Sequence, residues 1–591
     1  WEAAHLQASN PHSITPALIG AETPTGAQAK VDAHEQKAAP HSGHETPSGA
    51  QAKADAAENA AKAYTDQEVA DLKGYIGYTE DDIYGVEVDF KNKKFTRLAG
   101  AINKTPGADF NSINAFGGRK RCILTDDGVV LAYYGEPGYS ETGKTTVEIQ
   151  KGSVAYPAGT IVQVMVEQPK FYYKVVPLQL EKIQNGIGYH LRKARYYISD
   201  YPKPGFKIHP AFVRNGVVKD KIYLSAYEGC IYDVSAGTYL LNDEQVADFD
   251  NGKLSSVAGA KPASGLTQNL TRANTRKLAE NRGAGWQQKD VLCASASQML
   301  MIIEYAAFNM QSAIGLGVVN KPLGEGNKSE LTGATSNLGN ASGMAVGTNG
   351  LVSISYRGEE NFWGNIWKWI DGLNVYIDPD TRKADAYWAA ENFADDTGSA
   401  PYKHVGFNLA PNANGYVSAF GWSEECDFLF LPSEVLDNSA LPVGDAFYSS
   451  QTGWRVALLG GIWADGLGAG AFYWDVGSSS ADCSRGVGGG AVYVPRAIYD
   501  ITSKDEFTAT ITAASWSGTT PPYSNAVTVS GITSSHNPII DVIMSGTYST
   551  DQQRCEQWGN IYRAVTSSNT ITFYAHEKPT IDLPIRVKVV M

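Results

Sequence analysis

The segment Gly138-Tyr-Ser-Glu-Thr-Gly143-Lys144-Thr145 has the spacing GxxxxGK[ST], in which backbone amides and a lysine cradle the phosphates of a nucleotide. That chemistry needs a strand before the loop and a helix after it, so that the helix N-terminus meets the anion. VVLAYYG supplies a strand-like run before it, but TTVEIQKGS after it alternates at period two. The segment is therefore expected to be a hairpin loop without a nucleotide. His41 and His44, in PHSGH, are the tightest pair among five histidines in the first 64 residues, the others being His5, His12 and His34. Rings of neutral imidazole around a threefold axis would bind a metal; ordinary polar packing in a narrow stalk is the competing reading. The six cysteines, Cys122, Cys230, Cys293, Cys426, Cys483 and Cys555, include no CxxC pair. That is neither a zinc ribbon nor a disulfide scaffold, so most are expected to be reduced and buried. Neither GxSxG nor HExxH occurs, and no cofactor is expected.

A different chemistry is suggested by GEENFWGNIWKWIDGLNV, which crowds Phe362, Trp363, Trp367 and Trp369 into a few residues. These rings are either an exposed platform for sugar or the core of an irregular domain, and the core reading is favoured by their alternation with Gly and apolar residues. In the last ninety residues Trp516, Tyr523 and Trp558 pose the same choice. The formal charge of −13 and pI of about 5.3 argue against nucleic acid as a partner, because phosphate binding needs a basic surface. No apolar run is long enough to insert in a membrane. The opening WEAAHLQASNPH has no basic n-region or apolar h-region, and reads as part of something longer without a secretion signal.

The elements that would position such residues fall into four stretches. Residues 1–73 hold two near-identical copies, ETPTGAQAKVDA from Glu22 and ETPSGAQAKADA from Glu45. Such a segment cannot bury enough apolar surface alone. Gln51 to Lys73 favours helix, with Ala54, Ala57, Ala61, Tyr64, Val69 and Leu72 as a narrow seam; a short three-stranded coiled coil is expected, against a solvated linker helix. Residues 74–170 read as an antiparallel β module (IYGVEVDF, CILTDDGVVLAYYG, IVQVMVEQ). Residues 171–500 contain one clear helix, in KDVLCASASQMLMIIEYAAFNMQSAIG, among short strands and long loops. Residues 501–591 are strands throughout (FTATITAASWSG, NAVTVSGI, PIIDVIMSG, TITFYA, LPIRVKVVM) and read as a β-sandwich. The fold class is thus multidomain and mainly β with an α+β part: a repeat and coiled-coil stalk, a β module, a central domain and a terminal sandwich.

NPHSITPALIGAETPTGAQAK and PHSGHETPSGAQAK resemble the repeats that precede the head domains of bacteriophage tail fibres. KIYLSAYEG, IIEYAAFNMQSAIG, GEENFWGNIWKWIDGLNV and the closing run GGIWADGLGAGAFYWDVGSSSADCSRGVGGGAVYVPR resemble the C-type-lectin-like fold shared by formylglycine-generating enzymes and phage tropism determinants. WSGTTPPYSNAVTVSGI and WGNIYRAVTSSNTITFYAHEKPTIDLPIRVKVV resemble a small domain found at the end of tail fibres. The resemblance implies a receptor-binding protein of a phage tail or tail-like particle, binding a bacterial surface glycan or protein for host adsorption. It implies a homotrimer, attached to other tail or baseplate proteins on its N-terminal side, assembled in the bacterial cytoplasm and located in the virion tail. In tropism determinants the side chains between the Trp and the closing strand meet the receptor. Carried over, these are Trp463, Ala464, Asp465, Leu467, Phe472, Tyr473, Asp475, Ser478, Ser479, Ser480 and Asp482. In some relatives this stretch is diversified by a retroelement. The enzyme branch of the fold uses a cysteine pair, and Cys483 stands alone in that region, so no enzyme is expected. The alternatives are a tailspike-like glycan hydrolase, which would need paired carboxylates, and a structural tail or baseplate protein without receptor contact.

Overall fold

The computed structural model describes residues 23–35, 47–241, 245, 247–265, 269–324, 326, 328–439, 442–495, 506–530, 532–534 and 537–590. His41 and His44 lie outside these. The two repeat copies become helices, Pro24–Glu35 and Pro47–Ile76. Thr23 accepts the Gly26 amide at 3.1 Å, a cap that fits proline at the first helical position. The second helix has 30 residues, about 45 Å at 1.5 Å per residue. Its last turns dock on the body: Lys174 pairs with Asp71 at 2.7 Å and Tyr78 donates to the Ala70 carbonyl at 2.9 Å.

The body is mainly β. A fourteen-stranded sheet takes strands from across the chain. Ile83–Asp89 pairs antiparallel with Tyr189–Ser199, which pairs with Tyr172–Lys182 and with Asn414–Trp422. From there the order runs through Ala446–Tyr448, Trp474–Ser478 and Gly453–Leu459 to Trp367–Ile377. A six-stranded sheet joins Lys120–Leu124, Gln163–Pro169, Lys221–Ser225 and Ala491–Tyr493, among others.

The predicted helix is Val291–Tyr305, and every residue from Val291 to Glu304 is buried. Asp290 caps it, accepting the amides of Leu292 and Cys293 at 2.9 Å each. At the other end Glu304 takes both Nε and Nη2 of Arg357, at 2.7 and 2.6 Å. A helix apolar on all sides can sit only inside a core, and one continuous core runs from Val86 to Val494.

Two expectations are corrected by the structure. Residues 74–170 and 171–500 are not separate units, because Ile83–Asp89 and Gln163–Pro169 find their partners beyond residue 171 and share that core. Period-two alternation marks strands but does not say which strand they pair with. The C-terminal stretch has two three-stranded sheets around Ile511, Phe573 and Ile585, but it also holds a helix, Tyr548–Trp558. STDQQRCEQW has no apolar face to announce it, and none of its residues is buried. The P-loop-like segment is followed by a strand, Ile149–Lys151. Thr145 Oγ1 is spent on the Pro157 carbonyl at 2.8 Å.

Candidate functional site

Gly453–Leu459 and Trp474–Ser478 are antiparallel neighbours, and the chain between them forms the surface loop that carries the predicted residues. The pairing runs Leu459↔Trp474 and Leu458↔Asp475, then shifts to Val456↔Ser478. One strand thus advances three residues while the other advances two. Such a bulge puts both partners of a same-face pair on one side. Asp475 and Ser478 share the side of Leu458 and Val456, whereas Trp474 and Val476 point into the main core.

The loop is pinned from several directions. Lys321 donates its amide to the Trp463 carbonyl at 2.7 Å, and Gly466 to Val319 at 2.9 Å. Gly461 has φ +85°, and a Cβ there would lie 2.9 Å from the Cβ of Ala469, so the turn needs glycine. Asp465 accepts the Ile462 amide at 2.8 Å. The buried Asp445 carboxyl accepts the Phe472 amide at 2.7 Å.

The predicted residues divide accordingly. Phe472 is fully buried and meets Phe308, Phe420 and Phe430 with ring centroids 5.2–5.7 Å apart. It is a core residue and drops out of any set that touches a partner. Trp463 is 3% exposed, so it contributes a wall and not a protruding contact. Tyr473 is half-buried, edge-on to Trp367 at 4.6 Å. Leu467 is 59% exposed at the tip of the loop. Ser478, Ser479 and Ser480 are half-buried, and Asp482 is exposed. Asp482 closes a turn by accepting the amide and hydroxyl of Ser479, both at 2.8 Å.

A cleft of about 470 Å³ opens beside the bulge, lined by Trp367, Leu458, Ile462, Trp463, Asp475, Ser478, Ser484, Arg485 and Val487 among others. Its floor is the small apolar cluster of Trp367, Trp369, Val456, Leu458 and Val487. Burial pushes the carboxyls of Asp465 and Asp475 up to about 6 each, and Asp475 is raised further by Asp465 and Asp482. Burial in low dielectric disfavours the charged form, and like charges add to that. The Trp463 Nε1 is buried without a partner among the described residues.

Sequence reasoning missed Trp367, Ile462, Arg485 and Val487. The aromatic block is core at Phe362, Trp363 and Trp369, with Trp363 Nε1 donating to Leu316 at 3.0 Å and Trp369 Nε1 to Leu270 at 2.9 Å. Trp367, on the same strand as Trp369, lines the cleft. In the C-terminal unit Trp516 is buried and Trp558 packs on the core. Four of the thiols are buried, Cys483 is half-buried and Cys555 exposed. Among the described residues no cluster of three or more His, Cys, Asp or Glu is arranged to hold a metal, and no helix is long and apolar enough to cross a membrane.

A second enclosed space, about 30 Å³, lies among Glu228, Lys289, Glu359, Glu360 and Lys368. Lys289 and Arg119 pair with Glu359, and Lys368 with Glu228 at 2.9 Å. It has room for about one water, and its charges are satisfied within the fold.

No family model matches the chain, and no curated protein matches it. Among solved structures the chain is similar to the Major Tropism Determinant U1 variant at 11% identity and a TM-score of 0.22, covering 71% of this chain and 96% of that one. It is similar to the P3c variant at 12% identity and the same TM-score, with the same coverage. The I1 variant stands at 11% and 0.22, covering 72% and 97%. A likeness at that TM-score carries no argument about function.

Proposed function

We propose that the chain is a receptor-binding protein of a bacteriophage tail or tail-like particle, meeting a bacterial surface through the loop and cleft around Leu467, Asp475 and Ser478. The observation that carries this reading is the cleft itself. It is concave and aromatic-floored, it has polar groups on its rim, and it is built on a bulged strand of a large sheet. Binding sites of this kind are loops held by a rigid scaffold. In this reading the central body is the C-type-lectin-like domain. The repeat helices lead to the tail or baseplate and associate as a homotrimer, and the protein resides in the virion tail. Trp463, Asp465, Tyr473, Ser479, Ser480 and Asp482 shape the face, and Leu467 projects from it.

The test is binding of fluorescently labelled full-length protein to a panel of bacterial strains. Strain-restricted binding that Leu467→Asp abolishes supports the reading; uniform or absent binding, or binding indifferent to that change, overturns it. A second reading has one observation in its favour. Two carboxyls at about 6, Asp465 and Asp475, belong to the same loop and strand end, and glycan hydrolysis uses such a pair. Progressive loss of surface polysaccharide on incubation would favour it.

A further inference from the structure

The chemistry of the cleft says more about its occupant than that it is a receptor. The floor, Trp367 with Leu458 and Val487, is apolar. The rim brings one acceptor carboxylate (Asp475), two hydroxyls (Ser478 and Ser484) and one donor guanidinium (Arg485) onto the same opening. The bulge is what puts Asp475 and Ser478 there together. Asp475 Oδ1 already accepts the Gly477 amide at 2.7 Å, which fixes the carboxylate plane.

A cation would satisfy the carboxylate but oppose Arg485. An anion would meet Arg485 but face Asp465, Asp475 and Asp482, whose mutual repulsion is already felt at Asp475. An apolar side chain would cover the floor but strand the rim, and each polar group left unpaired in a closed site is costly. A hydroxyl is both donor and acceptor, so a ring with one C–H face and several hydroxyls matches all of these groups at once. The volume of about 470 Å³ lies within the range of roughly 300–1,000 Å³ for small-molecule sites.

We propose that the cleft binds a neutral hexopyranose or N-acetylhexosamine ring of a surface glycan, its C–H face on the apolar floor and its hydroxyls on Asp475, Ser478 and Arg485. This rests on the proposed receptor-binding reading and names the ligand class of that same site.

The experiment is saturation-transfer NMR on the full-length protein with glucose, galactose, mannose, N-acetylglucosamine and N-acetylgalactosamine in turn. N-acetylneuraminic acid, glycerol phosphate and glucosamine serve as charged comparisons. At least one neutral sugar is expected to give saturable binding, weakened at least about fivefold, which is about 1 kcal/mol, by Asp475→Asn and by Ser478→Ala. Leu436→Ala, on an exposed strand end outside the cleft, should change nothing. Ser478→Ala removes a single half-buried hydroxyl, so it keeps the test valid where the aspartate variant is poorly folded. The proposal is overturned if no neutral sugar binds, if a charged probe binds as tightly, or if both variants bind like the wild type. Strain-specific cell binding lost in Leu467→Asp, together with no sugar binding, would leave a protein receptor and remove only the sugar. Absence of cell binding and of sugar binding would remove both.

Discussion

Asp475 and Ser478 face the same side of their strand although they stand three positions apart, because a one-residue bulge opposite Leu458 and Val456 absorbs the odd position. The bulge is held locally: Gly477 donates to Asp475 Oδ1 at 2.7 Å, and a Cβ on Gly477 would lie 2.5 Å from Tyr448 Cε1. Gly477→Ala is therefore expected to destabilise the protein by about 1–3 kcal/mol and to weaken cell binding beyond what the lost stability explains. Thermal unfolding and cell binding measured on the same preparation check both parts. Unchanged binding would mean that the alignment of Asp475 with Ser478 has no role at the face.

That relationship also marks where the sequence stops being readable. The buried helix Val291–Tyr305 was legible, because its apolar residues recur at helical spacing and Asp290 stands where a cap belongs. The closing run was legible as a loop before a strand. Strict alternation, however, would send Asp475 and Ser478 to opposite faces, and nothing in WDVGS announces the extra residue. Trp367 was hidden for a related reason: it differs from Trp369 in what packs over it and not in type, and that cover comes from Tyr473 and Val487 more than a hundred residues later. The partners of Ile83–Asp89 and Gln163–Pro169 were beyond reach in the same way, since pairing across such distances is set by the whole core.

Phe472 and Leu467 make an internal contrast within one loop. Phe472 sits in a cluster with Phe308, Phe420 and Phe430, and truncating a buried Phe to Ala costs about 3–5 kcal/mol. Leu467 is 59% exposed, and a surface change away from such packing usually stays within about 0.5 kcal/mol. Phe472→Ala is expected to lower the melting temperature and reduce cell binding only through unfolding. Leu467→Asp should leave the melting curve unmoved and remove binding by the folded protein. Denaturant unfolding alongside binding per folded molecule separates the two.

The Asp475 carboxyl is pushed up to about 6 from 3.8, so the folded protein holds its proton more tightly than the unfolded chain does. Its contribution to stability is therefore fully present below about pH 4 and is lost as pH rises through about 6. Asp475→Asn keeps an acceptor for the Gly477 amide and removes the titration. The variant should match the wild type near pH 4 and exceed it by about 1–3 kcal/mol above pH 7. Melting temperatures across pH 4–8 check this, and a constant difference at all pH values would refute the buried carboxylate as its cause.

The Glu304–Arg357 pair closes the buried helix and is itself buried, with both carboxylate oxygens engaged by the guanidinium. Glu304 also accepts the Gly107 amide at 2.9 Å. Removing one partner of such a pair leaves an uncompensated charge, at about 3–5 kcal/mol. Glu304→Ala should cost that much, whereas Lys62→Ala, breaking an exposed i,i+4 pair with Asp66, should cost well under about 1 kcal/mol. Urea unfolding with a constant m-value is the measurement.

The long N-terminal helix has two unlike faces at its body-proximal end. Ala70 is buried and Asp71 pairs with Lys174, so that side docks on the sheet. At about 100° per residue, Tyr64, Leu72 and Tyr75 lie on the far side, and they are 68%, 60% and 54% exposed. Ile76, one position on, is 71% exposed. Apolar side chains this large, recurring on one helix face, are covered in water by other helices, and in the proposed trimer the cover is the same helix of two further copies. Sedimentation equilibrium of the full-length protein should give a multiple of the 63.5 kDa chain mass. Leu72→Glu with Ile76→Glu should return it to the single-chain mass without lowering the melting transition of the body, whose core draws on neither residue. A double variant that stays associated would move the contact elsewhere, and a monomeric wild type would leave the seam exposed in solution.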